Sequence, residues 1–264
     1  MGEEFDIQQA LELTRELVSQ TGRLAKDTFG LAEAQMKADG SLVTKTDRMI
    51  EQIIRERLQR HYPDHAVYGE EDGLTGPQDS PFLWLIDPID GTNNFVRGVP
   101  LWGVSLGLFY EGMPCLGVFG MPCIEQTFWA AEGIGAYCND HPISVSRGGE
   151  LARNDLLITS APNIGCWDYC GPVKYRNVGS AAYGMALVAS GSAIGFINGH
   201  WHLWDAGATL SLLKEAGALV TDVKGKSLYD ITGCDYAAQC PCMIAASPEY
   251  HKLLMEHVRL DLQP

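Results

Sequence analysis

The sequence predicts an α+β half followed by an α/β half. Two patterns carry that expectation. Ahead of about residue 148, two stretches of helical periodicity lead into short apolar segments separated by hairpin-type turns. Beyond it, strand-like and helix-like stretches alternate as far as a closing helix. The expected halves are residues 1–148 and 149–264.

The elements follow in order. Over residues 5 to 29, Phe5, Leu13, Leu17 and Leu24 recur on one side among polar neighbours, and Gly30 is a stop. "AQMKADGSLVTKTD" reads as a loop or hairpin turning at Asp39-Gly40. Thr46 or Asp47 caps a second helix running to Arg60, with Met49, Ile50, Ile53, Ile54 and Leu58 inward. Apolar segments at 66–69, 82–87, 101–109, 115–120 and 126–131 form an antiparallel meander, with turns at Glu111-Gly112 and Asn139-Asp140. In the second half come strand "DLLITSA", helix 180–190, strand "AIGFIN", helix 206–216, strand "ALVTDV" and a helix from Pro248.

Composition bounds the function. A chain of 264 residues, 46% hydrophobic and 20% charged, is globular and buries a large core. A net charge of −14 argues against a general nucleic-acid binder, because phosphate backbones are gripped by clustered Lys and Arg. It leaves room for anionic substrates, since carboxylates recruit cations and cations recruit phosphate. The N-terminal stretch has early acidic residues and no apolar core, and no window has the length of a membrane span. The eight cysteines include no Cys-x-x-Cys pair, so they read as free thiols of a reducing cytoplasm. Cys166, Cys170, Cys240 and Cys242 are an alternative soft-metal group with spacings unlike the common zinc patterns.

Three stretches hold candidate chemistry. "WLIDPIDGTNNF" places Asp87 and Asp90 behind a run of large apolar side chains. Pro88 ends the strand there, Gly91 allows close approach of a ligand, and Thr92 to Asn94 begin a helical turn with free N–H groups. Carboxylates and a carbonyl on a short rigid turn suit a hard cation such as Mg²⁺, although the same residues also make an ordinary Asx-type turn. "VYGEEDG" sets Glu70 and Glu71 side by side, a repulsion that a cation relieves and that a solvated turn also tolerates. "LWDAGATLSLLKEAG" puts Asp205 at a helix start beside Trp204, as a plain cap or as a buried carboxylate in need of compensation. His200 and His202 alternate just upstream as further candidate ligands.

Together, "GEED", "WLIDPIDGTNNF" and "LWDAGA", in that order, with "LVTKTD" upstream, resemble the inositol monophosphatase family of Mg²⁺-dependent, lithium-sensitive phosphatases. The likeness runs over nearly the whole chain. It implies a layered αβαβα sandwich, usually a homodimer, with most metal ligands in the first half and the site completed by the second. By position, Glu70, Asp87, Asp90 and Asp205 match the family's metal-binding carboxylates and the Ile89 carbonyl a further ligand for two or three Mg²⁺ ions. Asp47 and Thr92 match the pair that, with Glu70, activates the attacking water, and the amides of Gly91 and Thr92 match the phosphate cradle. Gly179, Ser180 and Ala181 match the stretch lining the substrate pocket, and Lys37 and Asp39 lie in the segment of the family's mobile loop. Asn198 falls where inositol-specific members commonly carry a glutamate.

The resemblance thus implies a cytoplasmic phosphomonoesterase acting on inositol 1-phosphate or a related polyol or sugar phosphate, without a covalent intermediate. Fructose 1,6-bisphosphate, histidinol phosphate and nucleotide 3′-phosphates are alternative substrates within the family. A regulatory protein that keeps the site but binds transcription machinery or RNA is the alternative of another class.

Overall fold

Asp6 accepts hydrogen bonds from the amides of Gln8 and Gln9 and so starts α1 (Ile7–Lys26). Ala10, Leu13, Leu17 and Val18 are buried, but Leu24 is 41% exposed. The buried stripe climbs in steps of four through Leu17, Thr21 and Ala25, which turns Leu24 outward. Strands β1 (Ala34–Met36) and β2 (Leu42–Thr44) form the expected hairpin around Asp39-Gly40. The cap of α2 (Lys45–His61) is Thr44, not Thr46 or Asp47. Thr44 has extended backbone, its hydroxyl accepts from the helical amides, and Asp47 bonds back to it in a capping box. Met49 is 41% exposed, while Ile50, Ile54 and Leu58 are fully buried.

The computed structural model describes residues 5–160, 168–169 and 171–259. Within them the meander is an eight-stranded sheet. Its strands are β3 (Ala66–Gly69), β4 (Gly73–Thr75), β5 (Phe82–Asp90), β6 (Gly103–Tyr110), β7 (Met113–Met121), β8 (Gln126–Ala131), β9 (Gly135–Cys138) and β10 (His141–Pro142). The order is β10-β9-β8-β7-β6-β5-β3-β4, antiparallel except where β3 runs parallel to β5. Glu111 and Gly112 both have positive φ, the geometry that a right-twisted two-residue hairpin needs. A short α3 (Thr92–Val96) follows β5.

The second half builds a five-stranded sheet. Its elements are β11 (Leu156–Thr159), β12 (Asp168–Tyr169), β13 (Lys174–Asn177), α4 (Ala181–Ala189), β14 (Gly195–Asn198), a 3₁₀ turn (Leu203–Ala206), α5 (Thr209–Ala216), β15 (Leu219–Asp222), β16 (Met243–Ala246), α6 (Pro248–His257) and β17 (Val258–Arg259). The order is β13-β11-β14-β16-β15, and β12 pairs with β17 apart from it. The expected helix 206–216 is split into the 3₁₀ turn and α5.

The layers stack as αβαβα. Helices α1 and α2 lie on one face of the first sheet, α4 and α5 between the two sheets, and α6 on the far side of the second. One apolar cluster joins Leu85, Phe119 and Phe128 of the first sheet to Met185, Leu210 and Phe196 across the middle layer. Another joins Leu17, Ile50 and Ile54 to Trp84 and Trp102. Each such large side chain contributes about 1.5–3 kcal/mol on full burial. Covered on both faces, β5 is buried from Leu83 to Asp90, which explains its unbroken apolar run. Among the described residues no helix is long and apolar enough to cross a membrane.

Candidate metal centre

A strand presents residues three apart on opposite faces, yet Asp87 and Asp90 share one. The cause is a bulge. Asp87 pairs with Ser105 and Asp90 with Gly103, so β5 spans with three steps what β6 spans with two. Strand β5 therefore does not end at Pro88, as its sequence suggests, but continues to Asp90 through the irregularity. A missing proline N–H costs nothing where the ladder is already broken. Gly91 then turns the chain with φ +86, and a Cβ there would sit 3.0 Å from the Leu101 carbonyl. The Asn94 side chain donates to the carbonyls of Leu101 and Val178, tying this turn to the start of α4.

Asp205 arrives from the other sheet. Its carboxylate accepts from the His202 amide and closes the 3₁₀ turn. That turn lies hard against the first sheet because β6 and β7 present glycine there. A Cβ on Gly107 would be 1.9 Å from the Gly207 carbonyl oxygen, and one on Gly117 would be 2.0 Å from that of Ala208. As a result, single carboxylate oxygens of Asp87, Asp90 and Asp205 all lie within 4.8 Å of one another.

Glu70 follows β3, its amide bonded to the Ile86 carbonyl. Lys37, from the β1–β2 hairpin, reaches Glu70 at 2.8 Å and Glu71 at 2.6 Å. Asp47 is wholly buried, held by the Thr44 amide and hydroxyl, and its other oxygen lies 3.5 Å from the Thr92 hydroxyl. Thr92 also lies 3.0 Å from the Ile89 carbonyl. Asp90 is gripped by the Ser180 hydroxyl and by the Ala181 amide at 3.0 Å.

The electrostatics follow from that crowding. Burial, then Glu70, Asp90 and Asp205, hold the Asp87 carboxyl well above the usual range. Burial and Asp90 do the same for Asp205. Burial lifts Asp90 to about 6 against the Ser180 bond, and Glu70 to about 7 against Lys37. For Lys37, burial pulls the ammonium down, but Glu70 and Glu71 outweigh it and raise its proton affinity. Burial and mutual repulsion thus raise the proton affinity of all four acids, and Lys37 offsets this only in part at Glu70.

A divalent cation fits this place. Oδ1 of Asp87 is buried with no hydrogen-bond partner among the described residues, although buried polar atoms are nearly always satisfied. Adjacent oxygens on Mg²⁺ stand about 3 Å apart and opposite ones about 4.2 Å, so the three aspartates, within 4.8 Å, would draw inward on one ion. The donors are all oxygens, which favours Mg²⁺ or Mn²⁺ over softer metals.

Other sequence candidates sit around this centre. Gly179 has φ +67 and precedes Ser180, which caps α4 while bonding Asp90. Asn198 is wholly buried, donating to the Ser160 hydroxyl and accepting from the His200 amide. His200 is exposed and bonds Gln239. His202 stacks on Trp204 at 4.3 Å, and Trp204 on Tyr68, so Trp204 is half-buried in an aromatic row beside Asp205. Cys166 and Cys170 lie outside the described residues, and Cys240 is a half-buried free thiol. Sequence reasoning missed the Asn94 tie, and it missed Glu51 and Arg55 of α2, which hold the turn after Glu70. Glu51 and Arg55 are spaced as an ordinary surface ion pair, so nothing local marks them.

Fold and cluster together define a layered αβαβα protein with a carboxylate-lined centre suited to a hard divalent cation. The profile of the inositol monophosphatase family matches residues 6–262. The chain is 34% identical to a histidinol-phosphatase of Chlorobaculum parvum, over 84% of this chain and 90% of that one. It is 35% identical to an inositol-1-monophosphatase of Synechocystis, over 87% and 82% of the two chains. A solved IMPase of Thermotoga maritima superposes with TM-score 0.83 at 28% identity, covering 94% of this chain and 96% of that one. The chain belongs to the inositol monophosphatase family and is a phosphatase of that family.

Proposed function

We propose that the protein is a Mg²⁺-dependent phosphomonoesterase that hydrolyses inositol 1-phosphate or a related polyol or sugar phosphate to the alcohol and inorganic phosphate. The observation that carries this reading is the convergence of Asp87, Asp90 and Asp205, remote in sequence, to within 4.8 Å. Glu70, Asp87, Asp90, Asp205 and the Ile89 carbonyl would hold the metal. When bound, Mg²⁺ would neutralise phosphoryl charge and make water more acidic.

The remaining work belongs to the chain. Thr92 has one hydroxyl proton, directed at Asp47 or at the Ile89 carbonyl, so its lone pairs are left to orient a water. Glu70, the carboxylate assigned beside this pair, would take that water's proton. The amides of Gly91 and Thr92 face the phosphate, and Gly179, Ser180 and Ala181 wall the substrate. In this reading residues 1–148 carry most ligands and 149–264 complete the centre, in a cytoplasmic, lithium-sensitive homodimer.

Histidinol phosphate is the second substrate reading. It is favoured by the 34% identical relative of that name and by Asn198, whose amide already has protein partners on both sides. The test is phosphate release from inositol 1-phosphate, fructose 1,6-bisphosphate, histidinol phosphate and a nucleotide 3′-phosphate, with Mg²⁺ and with EDTA. Turnover of at least one ester with Mg²⁺ and none with EDTA is expected. No metal-dependent turnover of any of them contradicts the proposal.

A further inference from the structure

Asp47, Glu51 and Arg55 are spaced by four on α2, so they form one stripe, and all three are buried. Glu51 is 0% exposed, and its two oxygens receive three donors. These are the Glu71 amide at 2.8 Å, the Asp72 amide at 3.0 Å and the Arg55 guanidinium at 2.5 Å. Arg55 in turn donates to the carbonyls of Val67 and Gly73 and to the Thr75 hydroxyl, so it grips both strands of the β3–β4 hairpin. Gly69 makes room for this, since a Cβ there would lie 2.2 Å from Glu51 Oε1.

A buried ion pair is a poor way to add stability, because desolvation offsets much of the attraction. What this pair does is geometric. The Glu70 amide is fixed by β5, and the next two amides are fixed by Glu51. The side chain between those anchors has its origin set relative to Asp47, which comes from the same helix.

We propose that Glu51 and Arg55 are positioning residues that hold the Glu70 carboxylate at the metal centre and thereby set its affinity for Mg²⁺. This rests on the metal-centre reading of Glu70. The test is Mg²⁺ titration by calorimetry, with amide hydrogen exchange of the metal-free protein, on Glu51→Gln/Arg55→Gln and on Arg55→Lys. The double variant removes both charges and leaves no buried charge uncompensated. Arg55→Lys keeps the charge balance but loses the fork that reaches several acceptors at once.

Both variants are expected to melt cooperatively and to bind Mg²⁺ more weakly, by about 10- to 100-fold in the double variant, the range for residues that orient ligands. Protection of the Glu71 and Asp72 amides should fall about tenfold or more in the double variant, the size of a lost bond to a charged group. Folded variants with wild-type affinity and wild-type protection would overturn the proposal, as would full rescue of both by Arg55→Lys. A wild-type protein that binds no Mg²⁺ would break the metal-centre reading instead, and the metal-free exchange would still decide the role of Glu51.

Discussion

The turn that carries Asp87 and Asp90 is shaped by its own bulge and glycine and tied by Asn94 and Ser180, whereas the turn that carries Glu70 and Glu71 is bonded by a side chain of α2 twenty residues away. In the first, a bulge, a proline and a left-handed glycine fix two carboxylates on one face within four positions. In the second, between the Glu70 amide bonded to Ile86 and the left-handed Gly73, Glu51 and Arg55 supply the side-chain bonds that shape the turn. The lesson is that, if both turns supply one metal centre as proposed, their carboxylates have different vulnerabilities. The first turn is sensitive to changes at the ligands themselves. The second is expected to be sensitive to changes at Glu51 and Arg55, which bond its backbone from behind.

The largest expected effect lies in the turn of Asp87 and Asp90. Asp90→Asn should reduce phosphate release by roughly 10³-fold or more, exceeding the 10- to 100-fold typical of an outer partner, with an unchanged circular dichroism spectrum. Retained turnover would remove Asp90 from the centre. Thr92→Val keeps the shape and removes the hydroxyl, and kcat should fall by about 10²-fold with metal affinity little altered. Equal loss of metal binding would show that Thr92 supports the turn rather than a water.

A third change addresses how the two sheets meet. Gly107→Ala places a methyl against the Gly207 carbonyl, and overpacking of this kind costs about 1–3 kcal/mol. The melting temperature should fall, and Mg²⁺ affinity should fall with it as Asp205 moves off. Lost stability with intact affinity would separate the packing from the centre.

Glu70 rises from 4.5 to about 7 on folding and Asp90 from 3.8 to about 6, with Asp87 and Asp205 shifted the same way. The folded, metal-free protein therefore binds more protons than the unfolded chain. These groups favour folding at low pH, and their contribution is lost as pH rises through the window from about 4 to 7. In EDTA the melting temperature should decline across that window, and Mg²⁺ should abolish the decline. A flat metal-free profile would contradict the crowding of these buried carboxylates. The smallest effect is at Lys37. Its ammonium competes for Glu70, so Lys37→Met should tighten Mg²⁺ binding by about twofold to fivefold. Weaker binding would instead make Lys37 part of the support.

The same contrast explains what was legible in the sequence. Strands β3, β5, β6, β7 and β8 were visible because their apolar runs and turn residues are local signals. Strand β16 was not, since four small apolar residues acquire their place only by pairing with β14 and β15. The motif from Asp87 to Thr92 announced itself because a bulge, a tight turn and two carboxylates on one face require particular residues in adjacent positions. Glu51 and Arg55 gave no such signal; their burial depends on Gly69 and on a hairpin that approaches only in three dimensions. Asn198 shows the opposite case, where a position matched to the substrate pocket has its amide bonded inside the protein.

The most direct measurement is an anomalous difference map from crystals soaked in Mn²⁺. It should place a cation about 2.1–2.2 Å from carboxylate oxygens of Asp87, Asp90 and Asp205, with Glu70 turned from Lys37 toward the metal. A map with no peak among these three aspartates, from crystals of protein active with Mn²⁺, would contradict the account.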